Sequence, residues 1–188
     1  MIEFFNYIYY IFSDTVGVLP LIAAACAVSA VFLYKKKRRH ILRHEIFVGL
    51  FLWYLFMMLY LTIPFSNLYY SIIDGRIAVR GSVNLIPFAN ISRMLHVGGG
   101  DAAINILGNI VMFLPLGLFL PLLWKRFDSF KETVLCGAVL SLAIEIIQSF
   151  SFRSADIDDV ILNTAGVIVG FILYRLLIKI WPKINFSS

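Results

Sequence analysis

The chain has 188 residues, is 61% hydrophobic with a mean hydropathy of +0.88, and carries Asp, Glu, Lys or Arg at only 14% of its positions. A soluble domain is roughly half apolar and about a quarter charged, so this composition excludes an ordinary soluble enzyme and points to a protein embedded in lipid. The net charge of +5 is therefore read by location: Lys and Arg in short loops of a membrane protein report orientation, not affinity for nucleic acid.

Residues 1–13 include Phe4, Phe5, Tyr7, Tyr9, Tyr10 and Phe12, ahead of Asp14. Aromatic rings with polar tips suit the headgroup layer, so an interfacial segment leading into the first span is expected. With no basic stretch ahead of an apolar run, no cleavable signal is expected here. Val16 to Tyr34 is the first run long enough to cross, since about 20 residues span a core of about 30 Å. Ala23-Ala24-Ala25-Cys26 within it reads as a small-residue helix face. Lys35-Lys36-Lys37-Arg38-Arg39, with His40, Arg43 and His44 after it, is the densest positive cluster and reads as a cytoplasmic anchor. Ile46 to Ile63 crosses back and stops at Pro64, which cannot continue the hydrogen-bond ladder.

Phe65 to Gly100 is too polar and too punctuated to span, with Asn67, Asp74, Gly75, Arg76, Arg80, Gly81, Asn84, Pro87 and Asn90. It is expected to be an outer loop with a hairpin around Asp74-Gly75, and its greasier parts near 83–95 are expected to lie in the interface. Gly98-Gly99-Gly100 forms a joint with Asp101 as N-cap. Three further spans follow: Ala102 to Trp124, Thr133 to Phe150 and Asp158 to Ile178, the last two joined by the short loop 151–157. Cys26 and Cys136 fall inside apolar stretches and are expected to be free thiols.

With this reading, twelve Lys and Arg lie inside and four outside, the latter being Arg76, Arg80, Arg93 and Arg153. The asymmetry predicts an all-α, polytopic helix bundle of about five spans in the cytoplasmic membrane, N-terminus out and C-terminus in, as a single domain over 1–188.

Against this apolar background the stretch 145–170 stands out. Glu145, Asp156, Asp158 and Asp159 place four of the chain's 11 acids within fifteen positions, beside Gln148, Arg153 and Asn163. An ionisable group at membrane depth costs about 2.5–3.5 kcal/mol on insertion scales and persists mainly where it is paired, solvated or used. The alternating directions of the last three spans bring Asn105 and Asn109, Glu145 and Gln148, and Asp158, Asp159 and Asn163 to one depth on the outer side. A polar, partly water-filled pocket roofed by the 65–100 loop is expected there. Gly166 and Gly170 read as packing positions that let two helices approach closely.

Asn84-Leu85-Ile86-Pro87-Phe88, Asn105-Ile106-Leu107-Gly108-Asn109, Phe113-Leu114-Pro115-Leu116-Gly117, Glu145 with Gln148, and Arg153, Asp156, Asp158, Asp159, Asn163 and Gly166 follow one another in the order seen in the VanZ family. Over about 62–170 the chain resembles that family. The resemblance implies an integral membrane protein linked to lower susceptibility to teicoplanin and related lipoglycopeptides.

Two mechanisms remain open. In one, Asn84, Asn105, Asn109, Glu145, Gln148, Arg153, Asp156, Asp159 and Asn163 bind an amphiphile, either the antibiotic or a lipid-linked cell-wall precursor. In the other, Glu145 with Asp156, Asp158 or Asp159 forms a paired-carboxylate hydrolase or transferase acting on lipid-linked head groups, with Mg²⁺ or Ca²⁺ on the oxygens. There is no Gly-x-Ser-x-Gly and no paired-histidine motif, which favours binding without a cofactor. Membrane lipids are expected partners and nucleic acid is not. Residues alone leave the oligomeric state undefined.

Overall fold

Where the computed structural model describes them, the apolar runs that the sequence marks as spans are helical; it describes residues 19–35, 41–63, 69, 73, 82–97, 100–150 and 154–184. Among these are six α-helices: α1 (Leu19–Lys35), α2 (Ile41–Thr62), α3 (Ala89–Val97), α4 (Gly100–Leu123), α5 (Phe130–Ser149) and α6 (Ile157–Ile180). Two-residue strands β1 (Val83–Asn84) and β2 (Ala155–Asp156) and short 3-10 turns at Lys125–Phe127 and Pro182–Ile184 complete them. Arg43–Thr62, Ala102–Leu123 and Ile157–Ile180 are long and apolar enough to cross a membrane. The chain is thus a mainly helical membrane protein. α1 has 17 residues, and α5 carries Lys131, Glu132 and Glu145 in its 20.

Several sequence expectations fall outside the described residues: the aromatic segment 1–13, the basic residues 36–40, the turn at 74–75, and Arg153. Elsewhere the boundaries moved for identifiable reasons. α2 starts at Ile41, before the apolar run at Ile46, because Leu42-Arg43-His44-Glu45 contains nothing that breaks a helix. α4 starts at Gly100, so position 101 falls inside the helix instead of at its N-cap. The expected outer loop contains α3 and β1, neither of which was anticipated.

The chain forms two compact units, Met1–Leu59 and Tyr60–Ser188. In the first, Gly49 of α2 faces Cys26 and Ile22 of α1, and Val48, Phe51 and Met58 are buried. Glu45 is also buried, with His44 Nδ1 at 3.1 Å from its carboxylate. Cys26 and Cys136 are free thiols.

The second unit is built on glycines. Gly166 and Gly170 of α6 lie directly against the backbone carbonyls of Ile110 and Leu114 of α4, and Gly117 of α4 lies against the carbonyl of Val167. Both series ascend together, so α4 and α6 run parallel, with no side chain between the backbones at these points. α5 approaches the same Val167 through Gly137, whose missing side chain makes room for the valine methyls. Farther along, Asn163 Nδ2 donates to Ser141 Oγ at 2.9 Å and Asp156 N to Glu145 at 2.9 Å, an order that descends on one helix as it ascends on the other. α5 is therefore antiparallel to α6, and the three helices have the relative directions that their short connections predict. Val167 is fully buried at the centre, with Phe113, Leu116, Leu122 and Tyr174 along the same seam. Tyr174 OH donates to Asp128 at 2.7 Å and Thr133 Oγ1 to the Phe127 carbonyl at 2.5 Å, which ties the turn between α4 and α5 to the bundle.

Candidate functional site

At the opposite end of the bundle from that turn, the polar residues of 145–170 meet the Asn84-Leu85-Ile86-Pro87-Phe88 turn across about seventy residues of sequence. β1 and β2 pair in parallel, Val83 beside Ala155 and Asn84 beside Asp156. Ser82 and Ser154 hydroxyls lie 2.8 Å apart just before them, and Ala155 N donates to the Ser82 carbonyl at 3.0 Å. This short ladder fixes the height at which the acids meet the turn.

Asp158 occupies the centre and is 1% exposed. Its Oδ1 accepts from Phe88 N at 2.5 Å, and its Oδ2 from Asn90 N at 2.8 Å and Ile91 N at 3.0 Å. Asn90 and Ile91 lie in the first turn of α3, which has no intrahelical partners for their N–H groups, and Phe88 immediately precedes it. One carboxylate on α6 thus caps a different helix. Phe88 adopts φ 63, a left-handed conformation uncommon for a bulky residue, and its N–H is held by Asp158 in that turn.

Asp156 is the N-cap of α6, accepting from Asp158 N at 3.0 Å. It also accepts from Asn84 Nδ2 at 2.9 Å and from Asn90 Nδ2. The other end of the Asn84 side chain accepts from Ile86 N at 3.1 Å, which closes the turn. Glu145, 5% exposed, takes the Asp156 N–H. Around the rim, Asn109 Nδ2 donates to Asp159 at 2.8 Å and Gln148 Nε2 to the Thr62 carbonyl at 2.8 Å.

The space beside this network differs from the expected water-filled polar pocket. A cavity of about 180 Å³ opens between β1, α5 and the start of α6. Leu85, Leu142, Ile146 and Val160 form apolar walls, and Asn84, Glu145 and Asp156 stand at its polar end. The amides and acids bond one another, because a buried polar group away from solvent is costly unless paired. What remains open is bordered mainly by hydrocarbon. Leu85, Ile86 and Phe88 project outward from the rim at 74%, 69% and 59% exposure.

The residues singled out by sequence are thus sorted. Asn84, Glu145, Asp156 and Asp158 form one connected network, and Asn109 pairs with Asp159 across neighbouring helices. Asn163 lies deeper, beside Ser141, and its Oδ1 is buried with no partner among the described residues. Asn105 shares a helix face with Asn109 but is exposed and outside the network. Asn90 and Ser141 were missed as site residues. Asn90 sits in a stretch read as loop, and Ser141 gives no signal in an apolar helix. Among the described residues no three His, Cys, Asp or Glu side chains come together in a metal-holding cluster.

Comparison with known proteins places this region of the chain in a known family. A family model described as VanZ/LLP1 matches residues 51–178, a range that includes every element of the network. The chain is 33% identical over 129 residues to Protein VanZ of Enterococcus faecium, covering 68% of this chain and 73% of that protein. No solved structure matches. The parallel α4–α6 pair, the antiparallel α5 and the turn they hold all fall within the matched region, and the chain belongs to the VanZ family.

Proposed function

We propose that this protein lowers susceptibility to teicoplanin and related lipoglycopeptides by holding an amphiphile in the cavity bordered by Leu85, Leu142, Ile146 and Val160. The observation that carries this reading is the cavity's division into apolar walls and a polar end made by Asn84, Glu145 and Asp156. Its volume of about 180 Å³ is smaller than the 300–1,000 Å³ typical of drug-sized sites. It therefore takes part of a ligand, and the remainder lies along the exposed Leu85, Ile86 and Phe88. Two carboxylates, Glu145 and Asp156, border the polar end, which favours a head group offering hydroxyl, amide or ammonium donors. A bare phosphate would meet two carboxylates there. This favours the sugar and peptide portion of a lipoglycopeptide over the pyrophosphate of a wall precursor.

A second reading, hydrolysis or group transfer on a lipid-linked head group, draws on Glu145 and Asp156 bordering the same cavity. Two variants in a susceptible Gram-positive host separate the readings. Glu145→Gln keeps size and an acceptor for Asp156 N, so it should leave ligand affinity within about tenfold while abolishing any acid–base turnover. Leu142→Trp fills the cavity and should abolish both binding and protection against teicoplanin, with vancomycin susceptibility as the control. Full protection from the Leu142→Trp protein at normal membrane levels would sink the cavity as the site.

The proposed orientation is five crossings in the cytoplasmic membrane, with the Asp158 network at the outer face, resting on the twelve-to-four distribution of Lys and Arg. Ser154 is exposed beside β2 and Lys125 at the other end of the bundle. In a background with Cys26 and Cys136 replaced, Ser154→Cys should react with an impermeant maleimide on intact cells and Lys125→Cys only after lysis. The reverse pattern would invert the protein in the bilayer.

A further inference from the structure

A second opening lies at the far end of α6 from the acids, some sixteen residues or about 24 Å away along the helix. It is a groove of about 610 Å³ between the start of α5 and the last turns of α6, with Phe130, Phe171, Ile172 and Leu176 as walls and Arg175 and Lys179 at its rim. We propose that this groove is a binding site for an anionic phospholipid, with its acyl chain along the apolar walls and its phosphate held by Arg175 and Lys179.

The two cations are four residues apart and so project from one face of α6. Arg175 approaches Asp128 only to 3.9 Å, and the same Asp128 oxygen accepts the Tyr174 hydroxyl at 2.7 Å. The guanidinium therefore keeps donors for another anion. Among the described residues no acidic side chain pairs with Lys179. Phe130 and Phe171 rings pack edge to face at 5.5 Å along the groove. Ile172 and Leu176 are each 51% exposed on a helix apolar enough to span, so lipid tails are their natural cover. Trp181, 57% exposed just past Lys179, has the ring type that settles at headgroup depth.

Charge decides among occupants. A free phosphate would satisfy the cations but leave the apolar walls bare. A second copy related by a two-fold axis would bring its own Arg175 and Lys179 against the first pair. An anionic phospholipid complements both features, as basic pockets between membrane helices do for acidic head groups.

The test uses the full-length protein in detergent, titrated with phosphatidylglycerol or phosphatidylcholine and read by native mass spectrometry. Wild type should retain phosphatidylglycerol in preference to phosphatidylcholine. Each rim cation contributes about fivefold, so Arg175→Gln with Lys179→Gln should weaken phosphatidylglycerol binding about twenty-fivefold. Lys125→Gln with Arg126→Gln removes as much charge from the same end of the bundle outside the groove, and should change binding less than twofold. Ile172→Trp, which fills the groove and keeps both cations, should weaken both lipids. Equal losses in the two charge variants would reduce the effect to general surface charge and overturn the site, as would equal retention of the two lipids by wild type. A dimer that Ile172→Trp dissociates would assign the groove to a second copy instead and also overturn it.

Discussion

Gly170→Ala is expected to destabilise the second unit by about 3 kcal/mol or more, enough to lower its yield in membranes and its apparent melting temperature in detergent. A Cβ on Gly170 would fall well inside contact distance of the Leu114 carbonyl oxygen, and the same is true of Gly166 against Ile110. Both obstacles are backbone, so no rotamer change relieves them. The helices must separate instead, and separation opens the seam around the fully buried Val167. Two other glycines calibrate the effect. Gly137→Ala would press on the methyls of Val167, a side chain with some freedom to shift, and should cost less. Gly108→Ala meets nothing within 4 Å and should be neutral or stabilising by up to about 1 kcal/mol through helix propensity. Melting curves of the three variants should follow that order. An unaffected Gly170→Ala protein would mean that α4 and α6 do not touch backbone to backbone.

Asp158→Ala should be comparably damaging, with a local signature. The substitution leaves the N–H groups of Phe88, Asn90 and Ile91 without their acceptor and removes the clamp on the left-handed turn at Phe88. Each unsatisfied buried donor costs about 1–3 kcal/mol, so the total expected loss is about 3 kcal/mol, limited by how readily water reaches the released turn. Hydrogen exchange should report it most directly. Amides of α3 should lose protection, while those of α4 and α6 near Gly166 and Gly170 change little. Asp158→Asn keeps an acceptor oxygen and should lie between the two. If α3 amides exchange alike in wild type and Asp158→Ala, the carboxylate is not what holds the helix.

This clamp changes how the acids divide the work. From sequence, Glu145, Asp156, Asp158 and Asp159 are equivalent candidates. In the fold, Asp158 holds α3, Asp159 pairs with Asn109, and Glu145 and Asp156 border the cavity. Under the proposed function, Asp158→Ala would reduce antibiotic protection through misplacement of the Leu85–Phe88 rim, whereas Glu145→Gln would act at the cavity itself. Exchange protection of α3 distinguishes the two causes.

Much of this architecture is legible in the sequence. Hydrocarbon solvent demands that backbone groups bond within their own segment, so long apolar runs had to be helices, and short connections between them dictated the alternation of α4, α5 and α6. That Gly166 and Gly170 admit a close helix approach followed from the same reasoning, although the short 151–157 loop pointed to α5 as the neighbour and the approach is to α4. Most of the expected acids and amides gather at one end, with Asn105 outside the network and Asn163 deeper. Composition and motif order were also enough to place the chain in its family.

The pairing of those polar groups was not readable. The partners of Asp158 are main-chain N–H groups, which every residue but proline carries, so nothing in Phe88, Asn90 or Ile91 advertises them. α3 and the β1–β2 pairing were hidden for a related reason: nine residues and two residues are too short for periodicity to register, and they hold their shape through contacts nearly seventy positions away. The apolar walls of the cavity were likewise a tertiary outcome, since the acids and amides satisfy one another and leave hydrocarbon to border the remaining space.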